Sequence, residues 1–168
     1  MIKKTLPLII LAALLTGSAA LAAEETISEV IQDIEVAAED LNVAEPDILP
    51  DSPFYFLKEW NRGIRSFFTF NPEKRLELKN KYANEKLIEL KKLVEGNKGE
   101  EVIKETAQRY QERIREIEKT AERIKGKAQE NEKIDSFLDK YTRHQVLHQK
   151  LLEKLENQVP KKAFQRIK

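Results

Sequence analysis

The chain has only two histidines, His144 and His148. Their i, i+4 spacing puts both imidazoles on one face of a helix, where they could share a metal ion. They are the candidate metal ligands. A third ligand must come from another helix, because the same row continues through Lys140 and Leu152. Gln145 follows His144, so there is no H-E-x-x-H metalloprotease motif. The blander reading is one histidine on a packing seam and one at its border, hydrogen-bonded to neighbouring polar groups. With no cysteine, disulfides, thiolate metal sites and cysteine nucleophiles are excluded. No nucleophile elbow or glycine-rich phosphate loop is present. The 29 Asp and Glu are spread so widely that no acid–base pair stands out. The expectation is a protein that is not an enzyme and needs no cofactor. The 30 Lys and Arg barely exceed the acids, which argues against a nucleic-acid partner.

A second constellation is aromatic. Phe54, Tyr55, Phe56, Trp60, Phe67, Phe68 and Phe70 are seven of the twelve aromatic residues in the chain. Such a segment buries a large apolar area or exposes an adhesive patch. Phe54, Tyr55, Trp60, Phe67 and Phe68 are therefore the candidate interaction surface, for a carbohydrate, a lipid interface or a protein. At helical spacing, the commoner role is a cover over a hydrophobic core. Asn80, Gln145 and His148 interrupt otherwise apolar stripes, and polar seam residues of this kind fix register or oligomer state. Lys161, Lys162, Arg166 and Lys168 form a basic tail suited to anionic lipid or wall polymer.

The elements that must carry these residues are helical. Few Gly and many Glu, Lys, Leu and Ile favour helix over sheet. Residues 1–22 have the form of a signal peptide: Lys3 and Lys4, an apolar run from Leu6 to Leu15, and the small-x-small site Ala20-Leu21-Ala22. Cleavage is expected at Ala22 or its neighbour Ala23, with retention as an anchor as the alternative. After cleavage no segment is apolar enough to span a membrane. Residues 23–50 read as an acidic arm and linker. Glu24 to Asp51 holds ten acids and no Lys or Arg, with a short amphipathic helix on Ile27, Val30, Ile31, Ile34, Ala38 and Leu41. Residues 51–160 read as the bundle domain, and 161–168 as the tail.

Within the bundle, Ser52-Pro53 predicts one helix start and Asn71-Pro72-Glu73 another. Leu76, Asn80, Ala83, Leu87, Leu90 and Val94 form the stripe of the second helix, which Gly96 is expected to close in a left-handed cap. Ile103, Ala107, Tyr110, Ile114, Ile117, Ala121, Ile124 and Ala128 form the next stripe. Ile134, Leu138, Tyr141, Gln145, His148, Leu152, Leu155 and Val159 form the last, after a turn near 126–131 and before Pro160. Pairs such as Glu112-Arg113, Arg115-Glu116 and Glu118-Lys119 read as solvated surface. The fold class is all-α: an elongated, coiled-coil-like antiparallel three-helix bundle with the aromatic helix as its cover.

Leu49-Pro50-Asp51-Ser52-Pro53-Phe54-Tyr55-Phe56-Leu57-Lys58, then Phe70-Asn71-Pro72-Glu73-Lys74-Arg75 with Glu77-Leu78, Ala83 and Leu87, resemble an extracytoplasmic helical family, domain of unknown function 5667. Its pattern is L-P-x-S-P-x-Y-x-L-K followed by T-F-[ND]-P-E-K. A weaker likeness runs through Arg143-His144, Val146-Leu147, Leu155 and Val159-Pro160. Relatives often continue beyond that point with a further helix. The resemblance implies a secreted all-helical module and assigns no catalytic residue. The expected function is a secreted or periplasmic, non-catalytic interaction or structural module of the cell envelope. Its partner is a protein or envelope component, or a second copy through the helical seams. Extracytoplasmic metal binding or sensing through the histidine pair, and a periplasmic holdase, are the alternatives.

Overall fold

The computed structural model describes residues 35–128 and 132–159, with backbone alone for 124–128. The expected signal peptide, residues 23–34 of the arm and the basic tail lie outside the described residues. Four α-helices follow a single 3-10 turn at Glu39–Leu41: α1 (Tyr55–Phe67), α2 (Pro72–Glu95), α3 (Glu100–Ala128) and α4 (Glu132–Glu156). No strand occurs among the described residues.

Local chemistry sets the boundaries. Asn71 caps α2 by accepting a hydrogen bond from the Lys74 N–H at 3.0 Å, and Pro72 occupies the first turn, where its missing donor costs nothing. Ser52 does not start α1 at Pro53. Its hydroxyl accepts from the Phe54 N–H, forming a turn, and the helix begins two residues later at Tyr55. Gly96 closes α2 with a negative φ, so it is not the left-handed residue. That role falls to Asn97, which has a positive φ, while the Lys98 N–H returns to the Leu93 carbonyl. A Cβ on Gly96 would still sit 3.0 Å from the Lys92 carbonyl oxygen, which explains why glycine suits the position.

α2 is the central element. It packs along α3 and α4, and α1 lies against it. Cross-helix pairs set the directions. Lys79 of α2 meets Glu116 of α3, and Leu87 to Val94 cluster with Ile103 and Ala107, so these helices run antiparallel. Phe137 clusters with Leu76, His144 meets Asn80 and Asn84, and Leu151 and Leu155 join Leu87 to Val94, so α4 runs along α2 in the same sense. Burying each fully enclosed leucine contributes about 1.5–3 kcal/mol.

Three further expectations change. The arm helix does not extend through Leu41. Residues 35–37 are irregular, and Val36, Ala38, Leu41 and Val43 instead insert into the α2–α3–α4 core around one 3-10 turn. The α4 seam is rotated toward Ile134, Phe137, His144, His148, Leu151 and Leu155, leaving Leu138, Tyr141, Gln145 and Leu152 at its border. The heptad through Phe137 and His144 places both histidines inside, because polar partners on α2 await them. Finally, α1 does not turn its aromatic stripe inward.

Asn71→Ala should lower stability by about 1 kcal/mol by removing the α2 cap, read as a drop in the urea midpoint with an unchanged slope.

Candidate functional site

On α1, Phe56, Leu57, Trp60, Ile64 and Phe67 share one side, continued by Phe68 just past its end, and Tyr55, Glu59 and Arg62 share the other. The polar side faces α2. Tyr55 and Arg62 are buried, whereas Trp60 is 68% exposed, Phe67 73% and Phe68 66%. Phe54 and Phe70, at either end of the helix, are also exposed. The aromatic stripe is therefore an outer face. Of the five candidate surface residues, Phe54, Trp60, Phe67 and Phe68 lie on or beside it. Tyr55 does not: its ring is enclosed and its hydroxyl is central to the network beneath.

That network orients α1. The Tyr55 hydroxyl donates to Glu89 Oε2 at 2.6 Å and accepts from Arg62 Nη1 at 3.1 Å and from Lys86 Nζ. Arg62 Nη2 binds Glu85 Oε2 at 2.7 Å and Glu89 Oε1 at 2.8 Å, and Nη1 reaches Glu59. Lys86 bridges Glu89 at 2.9 Å and Glu59 at 3.2 Å; the Lys86 and Glu89 side chains have no exposed surface. Lys58 adds a contact of 2.8 Å to Glu89, and its ammonium also donates to the Ile48 carbonyl. Arg113 of α3 reaches Glu59 at 2.8 Å, so this arginine is not the solvated side chain its sequence setting implied. Arg62 lies over the Tyr82 ring, 5.6 Å from its centroid. Arg113 lies over the same ring at 5.9 Å.

The charges set the proton affinities. Burial opposes ionisation of Glu59, but the Lys86, Arg113 and Arg62 cations prevail and hold it down at about 2. Burial likewise opposes ionisation of Glu89, yet Lys86 and Arg62 keep its carboxyl below the usual range. For Lys86 burial wins, pulling the ammonium below its ordinary value against the attraction of Glu89 and Glu59. Burial and the Glu89 charge push the Tyr55 hydroxyl far up, so it stays a donor.

A second polar layer crosses the bundle between two apolar clusters. The Tyr110 hydroxyl donates to His148 Nδ1 at 2.8 Å, His148 Nε2–H donates to Asn84 Oδ1 at 2.8 Å, and Asn84 Nδ2 donates to His144 Nδ1 at 2.9 Å and to the Leu41 carbonyl at 2.8 Å. These proton positions are assigned because only this arrangement gives each group of that chain a complementary partner. Asn80 Nδ2 also approaches His144 Nδ1 at 3.2 Å, and His144 Nε2 faces the Asn42 amide at 3.3 Å, which pairs with an N–H when its oxygen is turned inward. Burial and the His144 ring push His148 down to about 3, and burial with Lys140 and Arg143 nearby lowers His144. The rings lie 6.5 Å apart, so the structure does bring the candidate ligands together. Every ring nitrogen nevertheless has an amide or hydroxyl within 3.3 Å, and among the described residues no three His, Asp or Glu side chains converge to hold an ion. A cleft of about 560 Å³ opens beside this layer, between the 3-10 turn, α2 and α4, with Asn42, Lys81, Phe137, Lys140 and His144 on its walls.

The ion network was not anticipated from the sequence. Its signal was present: Tyr55, Glu59 and Arg62 at i, i+4, i+7 form one polar stripe. Tyr82, Glu85, Lys86 and Glu89 at i, i+3, i+4, i+7 form a complementary one.

Two outcomes follow. Glu89→Leu leaves Lys58, Arg62, Lys86 and Arg113 facing only Glu59 and Glu85 and should cost about 3–5 kcal/mol, whereas the paired Lys86→Met/Glu89→Leu exchange should cost less than that single change; a denaturant double-mutant cycle reads the coupling. His148 is neutral in the fold but ionises near its ordinary value, about 6.5, when unfolded. Its folded pKa is thus depressed, the unfolded chain takes up more protons, and stability falls as pH drops from about 6.5 toward 3, by up to about 1.4 kcal/mol per pH unit. His148→Gln should flatten that slope in urea melts run between pH 4 and 7.

The family model described as Domain of unknown function (DUF5667) matches residues 47–162, a span that holds α1 to α4, the ion network and, apart from Leu41 and Asn42, the histidine layer. No curated protein and no solved structure matches the chain. The matched span covers more than half of the sequence and includes both the Ser52-Pro53 and the Asn71-Pro72 segments, and the chain therefore belongs to the DUF5667 family.

Proposed function

We propose that this protein is an exported, non-catalytic binding module of the cell envelope, and that the outer face of α1 is its working surface. The observation that carries the reading is the inverted orientation of α1. Large apolar side chains stand in solvent on one side of a helix whose other side is pinned by Tyr55, Arg62, Lys86 and Glu89. Soluble monomers rarely expose a contiguous apolar patch of this kind unless something docks on it. The pinned side keeps the helix from rolling to hide the patch, so the face is presented in a fixed geometry. Such preorganisation lowers the ordering cost of binding. Export is supported by the form of residues 1–22. No helix of the described residues is long and apolar enough to cross a membrane, which suits a peripheral attachment.

The test is fractionation of cells expressing the chain, followed by co-sedimentation of the protein with the envelope fraction. Wild type should be found outside the cytoplasm and be retained by the envelope, and Phe67→Ser/Phe68→Ser should lose most of that retention while keeping its helical circular dichroism and urea midpoint. Cytoplasmic location, or retention unchanged in the double variant, would overturn the reading.

A further inference from the structure

We propose that the partner of the α1 face is the interface of an anionic lipid bilayer, with α1 lying in the plane of the headgroups; this rests on the binding-face reading above. The first support is the chemistry of the face. Phe56, Leu57, Trp60, Ile64, Phe67 and Phe68 make it mostly aromatic, and aromatic rings favour the headgroup level of a membrane, where one edge is apolar and the other wet. α1 has 13 residues. At the helical rise it is about 20 Å long. It can lay its apolar side roughly 5–10 Å into the acyl boundary without crossing it.

The second support is charge. Between Phe54 and Arg75 the exposed charged side chains are Arg65, Lys74 and Arg75, all cationic, and Glu73 is half-buried. Glu59 is the one acid of α1, and it faces inward into the ion network. Arg65 lies beside the apolar stripe, and Lys74 and Arg75 follow Phe70; the Lys74 stem can lie along the surface with its head reaching phosphate, while Arg75 donates its Nε–H to the Thr69 carbonyl at 3.0 Å and can turn its terminal nitrogens to phosphate. Each such cation near an anionic leaflet adds attraction that salt weakens. A second copy of the chain is a poorer occupant: pairing this face with itself brings the same cations to one rim, against the half-buried Glu73 as the segment's one carboxylate outside the ion network.

Trp60 is the single tryptophan, so its emission reports α1 alone, whatever the remainder of the chain does. The full chain is titrated with vesicles of phosphatidylcholine alone and of phosphatidylcholine with phosphatidylglycerol. The expected result is a blue shift of Trp60 emission with the mixed vesicles and partitioning about tenfold weaker into the neutral ones. Phe56→Ser/Phe67→Ser should weaken partitioning about tenfold or more, since losing the insertion of one aromatic ring removes at least that factor. Arg65→Glu/Arg75→Glu should abolish the preference for anionic vesicles, and added salt should do the same for wild type. An unmoved Trp60 spectrum, equal partitioning into both vesicles, or a stable dimer in sedimentation that shields Trp60 would each overturn the lipid assignment. If envelope retention through Phe67 and Phe68 persists while vesicles leave Trp60 unmoved, the lipid inference falls and the binding-face reading stands. If both are absent, both fall.

Discussion

Glu89 and Lys86 are charged groups with no exposed surface, and the rest of the α1 face depends on how they are satisfied. An ion taken out of water costs several kcal/mol unless its partners replace the lost hydration. Here the partners come mostly from α1: the Tyr55 hydroxyl, the Arg62 guanidinium, the Lys58 ammonium and the Glu59 carboxylate. Rolling α1 over would bury its aromatic stripe and gain roughly 2–3 kcal/mol for each large side chain enclosed. The same roll would leave Glu85, Lys86 and Glu89 against rings that offer no hydrogen bond, and each stranded charge would offset one or two of those gains. The stripe therefore stays outside because of what α2 presents to it, not because of anything in α1 alone.

The histidine layer does a related task at the centre of the bundle. A seam of leucines alone tolerates sliding by a heptad, because one apolar contact replaces another. Asn84 does not tolerate it: its oxygen takes the His148 N–H, and its nitrogen serves both His144 and the Leu41 carbonyl. One side chain thus ties α2 to α4 and to the 3-10 turn before α1, and Tyr110 adds α3. A one-turn slip would break the whole set, and each buried group left unpaired would cost about 1–3 kcal/mol. Polar residues at seam positions commonly trade some stability for a unique register in this way.

Much of the fold was legible in the residues. The Asn71-Pro72 start, the 4-3 stripe of α3 from Ile103 to Ile117 and the all-helical class follow from capping and periodicity, which are local. The rotated α4 seam was not legible, because Phe137 and His144 lie inside only once Leu76, Asn80 and Asn84 are opposite them. The arm was misread for a similar reason: Val36, Ala38 and Leu41 fit a helical period, but their burial against α2 and α4 overrides local propensity. The aromatic helix shows the limit most plainly. Its apolar and polar stripes are both helical in period, so the sequence marks an amphipathic helix without saying which side is in. Matching the Tyr55–Glu59–Arg62 stripe with the Glu85–Lys86–Glu89 stripe would have decided it.

Trp60 offers the most direct test, because a stripe turned outward and a stripe turned inward place its indole in opposite surroundings. The measurement is acrylamide quenching of Trp60 in the folded chain, diluted until it is monomeric by sedimentation, with the unfolded chain in denaturant as reference. An outward stripe predicts quenching close to that of the unfolded chain, with an emission maximum that barely moves on unfolding. A shielded, blue-shifted Trp60 in the folded monomer that becomes accessible only on denaturation would contradict it.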